Sequence, residues 1–130
     1  HASAGGQAVL AAVGEDWGQG DFMGTVSTRG KAIIVARGAS SAASAASAAV
    51  DHMCSWWTGT PEGEYTSMAV WSNGEYGVPA GIIFSFPVKV KNGQVSIVEG
   101  IAHNDYAKAK IAATAAELSQ EREAVADLLS

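Results

Sequence analysis

The chain has 130 residues, 48% hydrophobic and 16% charged, a composition that argues against disorder and favours one packed domain. Its net charge is −5 and its eight Lys and Arg residues are scattered, so we expect no nucleic-acid partner. No apolar run approaches the roughly 20 residues that cross a bilayer, and the lone Cys54 favours a reducing compartment, so we expect a cytoplasmic protein without a membrane partner.

The segment from Asp21 to Arg37 is predicted to be a helix. An acid stands at its start, and Arg37 and Gly38 close it, as the helix dipole and a glycine stop favour. Its apolar residues recur at helical spacing: Phe22, Met23, Val26, Gly30, Ile33 and Ile34. The preceding stretch GQGDFMG, residues 18–24, has the wrong third spacing for a dinucleotide fingerprint, and we interpret it as a loop that enters the helix.

The alanine- and serine-rich stretch that follows, residues 37–50, could be a flexible linker by composition alone. Its continuation has the spacing of an apolar helix face, formed by Ala43, Ala46, Val50, Met53, Cys54 and Trp57. We therefore predict a helix whose N-terminus is capped by Ser40 or Ser41. Its small side chains would let another helix or a ligand come close. Spacing alone favours a plain cap over an anion site at this end.

Residues 59–65, GTPEGEY, are predicted to form a turn, after which the apolar period changes to two. Three strands are expected, over Tyr65–Ser72, Ile82–Val90 and Gln94–Ile101. An Asn-Gly turn joins the last two, and residues 73–81 return the chain between the first two, so the simplest arrangement is an antiparallel meander. Pro87 is expected at a sheet edge or a bulge.

The last segment is predicted to be helical, with an apolar face formed by Ala107, Ile111, Ala115, Leu118, Val125 and Leu129. Asn104 or Asp105 would cap it, and a capping-box pattern at Thr114 and Glu117 leaves open a break into two helices there. The whole chain, residues 1–130, is then one α+β domain. Its helices pack on one face of a small, three-stranded antiparallel sheet.

The potential metal ligands and nucleophiles do not form a recognisable catalytic pattern. His1, His52, His103 and Cys54 lack the close spacing of a zinc site, so we expect no metal. No G-x-S-x-G turn is present. The four tryptophans lack basic neighbours and are expected to pack in the core or at interfaces. No catalytic residue is therefore assigned.

Four segments nevertheless resemble the C-terminal part of the cytosolic-type malate dehydrogenases. They are TVSTRGKAIIVARGASSAASAASAAVDHM, GTPEGEYTSMAVWSNGEYGVPAGIIFSFPV, VEGIAHND and TAAELSQEREAVADLLS, in that order along nearly the whole chain. The resemblance implies the C-terminal domain of the lactate/malate dehydrogenase fold. It also implies an NAD-dependent oxidoreductase that interconverts malate and oxaloacetate, normally as a cytoplasmic homodimer.

The resemblance also implies which parts of such an enzyme this chain lacks. The Rossmann domain, the mobile loop with its arginine, and the catalytic histidine of the family would lie upstream of residue 1, and His1 is not assigned that role. The chain alone is therefore expected to be inactive. Ser40 and Ser41 would contact the substrate and Ser41 and Ala42 the NAD cofactor, with Ala39 as a further small wall residue.

A second hypothesis is an autonomous, non-catalytic assembly module that keeps this fold. The two hypotheses differ in what precedes His1 in the complete protein. In either case, the apolar helices lack partners in this chain, so we expect the isolated chain to self-associate.

Overall fold

A computed structural model of the chain describes residues 3–128, which leaves His1 and Leu129 outside the described part. The chain divides into two compact units, His1–Ala49 and Val50–Ser130. Each unit is described by itself below.

The described part of the first unit contains a two-stranded hairpin, three complete helices and the start of a fourth. Strands β1 (Ser3–Ala4) and β2 (Gln7–Ala8) lead into helices α1 (Val9–Val13), α2 (Glu15–Gln19) and α3 (Asp21–Arg37). The sequence predicted α3 with these bounds, but it predicted neither the hairpin nor the two short helices. The loop assigned to residues 18–24 is wrong, because Gly18 lies in α2 and Gly24 lies in α3.

Glycines set the ends of these helices. Gly14 (φ 85°) separates α1 from α2, and Gly38 adopts the left-handed conformation that closes α3, with its N–H donating to the Ile34 carbonyl at 2.8 Å. Arg37 in the last turn complements the dipole, as predicted.

Helix α4 (Ala42–Thr58) begins immediately after Ser41, which confirms the helical prediction for the alanine- and serine-rich stretch. It ends before Gly59, which has φ 86° and whose added Cβ would lie 2.9 Å from the Val90 carbonyl oxygen. Thr60 follows and pairs with the same residue: its N–H donates to the Val90 carbonyl at 3.0 Å, and its hydroxyl accepts the Val90 N–H at 3.2 Å. Only glycine fits this close approach.

The second unit contains the antiparallel sheet that the sequence predicted. Strands β3 (Thr66–Trp71), β4 (Ile83–Lys91) and β5 (Gln94–Ile97) lie in the order β3-β4-β5. The register pairs Thr66 with Val88 and Val88 with Ile97. The observed β5 is four residues shorter than predicted.

The core of the second unit lies between one face of this sheet and the last helix, α5 (Asp105–Ala124). Alternate strand residues point inward, as period-two patterning requires. The buried hydrophobic residues are Met68, Val78, Ile82, Phe86, Val88, Val90 and Ala115, with Ile111 and Leu118 of α5 packed against them. The α+β class is therefore confirmed.

Helix α5 is continuous through Thr114, so the alternative of a break there is wrong. Asn104 caps the helix by accepting the Ala107 N–H at 2.9 Å, as one of the two predicted caps. A capping box works only where the preceding backbone is not helical, and Thr114 lies in the middle of a helix. The helix ends at Ala124, with Val125 as its C-cap, and a short 3₁₀ helix, Ala126–Leu128, follows.

Pro87 lies in the central strand, so its expected place at an edge or bulge is wrong. Its carbonyl accepts the Val98 N–H at 2.8 Å, so the backbone nitrogen and carbonyl of Pro87 point toward the segment that continues β5. Proline has no N–H to return to the Val98 carbonyl. The Tyr76 hydroxyl donates to that carbonyl instead, and it also accepts the Ile101 N–H at 3.3 Å.

This arrangement predicts that Tyr76→Phe destabilises the chain by about 1–3 kcal/mol, because the Val98 carbonyl would lose its replacement donor. Urea unfolding of the variant measures this effect, with Tyr65→Phe at an exposed tyrosine as the control. In a Pro87→Ala background the new N–H can serve Val98, so the effect of Tyr76→Phe should shrink. If Tyr76→Phe is equally destabilising in the Pro87→Ala background, the Tyr76 hydroxyl does not replace the N–H that Pro87 lacks.

Candidate functional site

The candidate site is the start of α4, where the sequence placed Ser40, Ser41 and Ala42. Gly38 in its left-handed conformation ends α3, and four residues later α4 begins. This short connection fixes where the two serines stand relative to the first turn of α4. They therefore lie at the positive end of the helix dipole, as expected.

The hydrogen bonds at this turn use the serine carbonyl oxygens. Ser40 accepts the Ala42 N–H at 3.1 Å, and Ser41 accepts the Ser44 hydroxyl at 3.2 Å. Neither contact involves the hydroxyl of Ser40 or Ser41. Ser41 is half-buried and Ser40 is exposed, so this turn offers hydroxyl groups at a solvent-accessible helix end.

The side chains that surround this turn are small and exposed. Ala39, Ala42 and Ala43 are all exposed, and the predicted apolar face farther along α4 is also uncovered, with Trp57 90% exposed. The start of the α4 backbone is therefore not covered by bulky side chains of its own turn. The small side chains leave room for a ligand beside the helix backbone.

A polar cleft of about 430 Å³ lies at a different place, in the second unit, beside Asn73, Glu75 and Glu99. The Asn73 backbone N–H donates to the Glu75 carboxylate at 2.7 Å and lowers the pKa of Glu75 below its usual value. No sequence pattern predicted this cleft. It holds none of the predicted site residues.

Within residues 3–128, no three His, Cys, Asp or Glu side chains are close enough together to hold a metal ion. His52, His103 and Cys54 are thus not brought together as a metal site, and His1 lies outside the described residues. None of the described helices combines the length and apolarity needed to span a membrane.

Comparison with known proteins matches residues 1–129 to the model of the lactate/malate dehydrogenase α/β C-terminal domain. The chain is 53% identical over 128 residues to malate dehydrogenase of Cutibacterium acnes, covering 98% of this chain and 39% of the relative. The structure of malate dehydrogenase from Naegleria fowleri superimposes with a TM-score of 0.83 and 41% identity, over 97% of this chain and 38% of that one.

Lactate dehydrogenase of Trichomonas vaginalis, solved in complex with NADH and oxamate, is a more distant relative by sequence. It has a TM-score of 0.83 and 34% identity, over 98% of this chain and 40% of that chain. The chain thus spans about two fifths of the length of the relatives it matches. These matches, together with the three-stranded sheet and its helices, show that the chain belongs to the lactate/malate dehydrogenase family, as the α/β C-terminal domain.

Proposed function

We propose that residues 1–130 are the substrate-side, C-terminal domain of an NAD-dependent malate dehydrogenase, with a Rossmann cofactor domain upstream. The observation that supports this most strongly is the 53% identity to a malate dehydrogenase over 98% of the chain. Malate is favoured over lactate because this chain is 41% identical to the solved malate dehydrogenase and 34% identical to the solved lactate dehydrogenase. The complete protein would interconvert malate and oxaloacetate.

Ser40 and Ser41 are proposed to bind the dicarboxylate substrate. Their hydroxyls stand at the N-terminal end of α4, where the helix dipole favours a negative charge. A hydroxyl that donates to a substrate carboxylate also fixes how the substrate lies in the pocket. Ala39 and Ala42 contribute small walls that leave room for the substrate.

Ser41 and Ala42 are also proposed to contact the nicotinamide end of NAD, the group that would accept or supply the hydride. Ser41 and Ala42 are suited to such a contact, because Ala42 is small and exposed and Ser41 is half-buried. Residues 18–24 give no support for a dinucleotide phosphate site, because Gly18 and Gly24 lie inside helices instead of in a phosphate-binding turn. The remaining cofactor contacts are therefore assigned to the upstream domain.

The proton-transfer chemistry is likewise assigned to the upstream part, as are the arginines that would clamp the substrate. The complete enzyme is proposed to be a cytoplasmic homodimer, to which the exposed free thiol of Cys54 is suited in a reducing compartment. This chain contributes the wall that holds and orients the substrate.

Ser40→Ala and Ser41→Ala in the complete enzyme test the substrate-binding role. Loss of one hydrogen bond of about 0.5–1.5 kcal/mol should raise the Michaelis constant for oxaloacetate about 2- to 13-fold. Ser47→Ala, an exposed serine farther along α4, is the matched control and should leave that constant unchanged. If both variants behave like the control, the two serines have only a structural role.

The alternative, a non-catalytic assembly module, is favoured only by the uncovered apolar residues of the helices. The intact mass of the natural protein separates the two hypotheses. An enzyme requires a substantial upstream region that contains a glycine-rich strand-turn-helix, whereas the module does not.

A further inference from the structure

The Asn-Gly pair is chemically reactive as well as a turn signal, and this chain contains two such pairs, Asn73-Gly74 and Asn92-Gly93. The glycine nitrogen can attack the side-chain carbonyl carbon of the asparagine, because glycine has no side chain to hinder the approach. The new C–N bond closes a succinimide ring, and the Cγ–Nδ2 bond breaks and releases ammonia. Water then opens the ring at either carbonyl and leaves aspartate or isoaspartate. The two pairs share this chemistry and differ in their surroundings.

The pair Asn73-Gly74 is held in place by its neighbours. The Asn73 backbone N–H donates to the Glu75 carboxylate at 2.7 Å, and the Asn73 side-chain amide donates to the same carboxylate at 3.4 Å. The attacking nitrogen, that of Gly74, donates its proton to the Ser72 hydroxyl at 3.2 Å. Ser72 is fully buried, and its hydroxyl donates to the Val78 carbonyl at 3.1 Å. Attack at Asn73 therefore requires several hydrogen bonds to open together.

The pair Asn92-Gly93 forms the exposed two-residue turn between β4 and β5. Both residues have positive φ, 53° and 75°, as this type of turn requires, and Lys91 pairs with Gln94 across it. Among the described residues, no hydrogen bond is found to the Asn92 side chain or to the Gly93 N–H. The Trp56 Nε1–H donates to the Gly93 carbonyl at 3.3 Å and restrains the turn. Opening this turn far enough for attack therefore breaks fewer bonds than at the other pair.

We propose that Asn92 is a site of spontaneous deamidation, and that the modified turn releases Trp56 of α4 and loosens β5. Both products add one negative charge to the turn. Isoaspartate also routes the main chain through the side-chain carbon, so the loop between Lys91 and Gln94 becomes one methylene longer. The Gly93 carbonyl then moves away from the Trp56 indole, and the register that the turn fixes is lost. The proposal concerns the second unit only, so it does not depend on the proposed function.

Peptide mapping by mass spectrometry, on the complete protein incubated at mildly alkaline pH, tests the site. In the folded protein Asn92 should deamidate at least about 10-fold faster than Asn73, because fewer bonds must open. In concentrated urea the two rates should converge, because the fold no longer distinguishes the two pairs. A folded-state rate at Asn92 that does not exceed the rate at Asn73, or a difference that persists in urea, would overturn the proposal.

Two adjacent tryptophans test the restraint on the turn. Trp56→Phe removes the donor to the Gly93 carbonyl and should speed deamidation of Asn92 in the folded protein about 2- to 13-fold. Trp57→Phe is the matched control: this side chain is 90% exposed, and its replacement should leave the rate unchanged. Neither variant should alter the rate at Asn73. Equal rates at Asn92 in the two variants would contradict the coupling to Trp56.

The structural consequence is measured on the modified protein itself. The added negative charge allows ion-exchange chromatography to separate the deamidated fraction from the unmodified protein. In the deamidated fraction the β5 amides should exchange with solvent at least about 10-fold faster than in the unmodified protein, whereas the α5 amides should change little. Unchanged exchange of β5 would show that the modification leaves the hairpin intact, and the proposed loosening would be wrong.

Discussion

Phe86→Ala is expected to destabilise the second unit by about 3–5 kcal/mol, the largest effect of any single truncation in this chain. Phe86 is only 1% exposed and lies in the central strand, β4. Its ring is 5.3 Å from that of Phe84 and 6.3 Å from that of Tyr76, measured between centroids. Truncation would open a cavity next to both aromatic neighbours.

The size of this effect follows from how small the core is. The seven buried hydrophobic residues described in the chain all belong to the second unit, and Phe86 is the largest of them that is almost fully buried. A domain of this size is stable by only about 5–15 kcal/mol, so one such cavity removes much of the total. The variant should be partly unfolded at 37 °C.

Urea unfolding followed by tryptophan fluorescence measures the loss, and Ile83→Ala is the control. Ile83 lies in the same strand but points to the other face of the sheet and is exposed, so its truncation should cost less than about 1 kcal/mol. Equal free energies of unfolding for the two variants would show that Phe86 is not at the centre of the core.

The second large effect concerns activity. The 130-residue chain alone should reduce NAD with malate at least about 10⁴-fold more slowly than the complete protein, because the proposed proton-transfer groups and cofactor domain are upstream. Protected β4 amides would show that the sheet is folded in the inactive chain. Turnover by the chain within 100-fold of the complete protein would contradict the division of roles proposed here.

Local rules predicted the long elements well. The bounds of α3 follow from its acidic start and glycine stop, and the Asn-Gly turn correctly joined β4 to β5. The alanine- and serine-rich stretch was correctly predicted as α4 because the apolar spacing beyond it continues without a break. In each case, the residues on which the prediction depends lie close in sequence to the element that they determine.

The errors arise where a distant residue decides the structure. Pro87 is accommodated in the central strand because the Tyr76 hydroxyl, eleven residues away, replaces the missing donor. No local rule contains that contact. The prediction of a helix start at Thr114 was wrong because the capping-box pattern also occurs inside a helix that began earlier in the chain.

The candidate site was predictable only as a position. Sequence placed Ser40 and Ser41 at the start of α4, and the structure has that helix begin at Ala42. A helix-start pattern carries no information about groups distant in the sequence, so the substrate and cofactor contacts proposed for Ser40, Ser41 and Ala42 come from the resemblance to the family.

The most direct measurement is steady-state oxidation of NADH by the complete natural protein, with oxaloacetate and with pyruvate as alternative substrates. A malate dehydrogenase should have a much higher kcat/KM for oxaloacetate. Preference for pyruvate, or no turnover of either substrate by the folded protein, would contradict the proposed function.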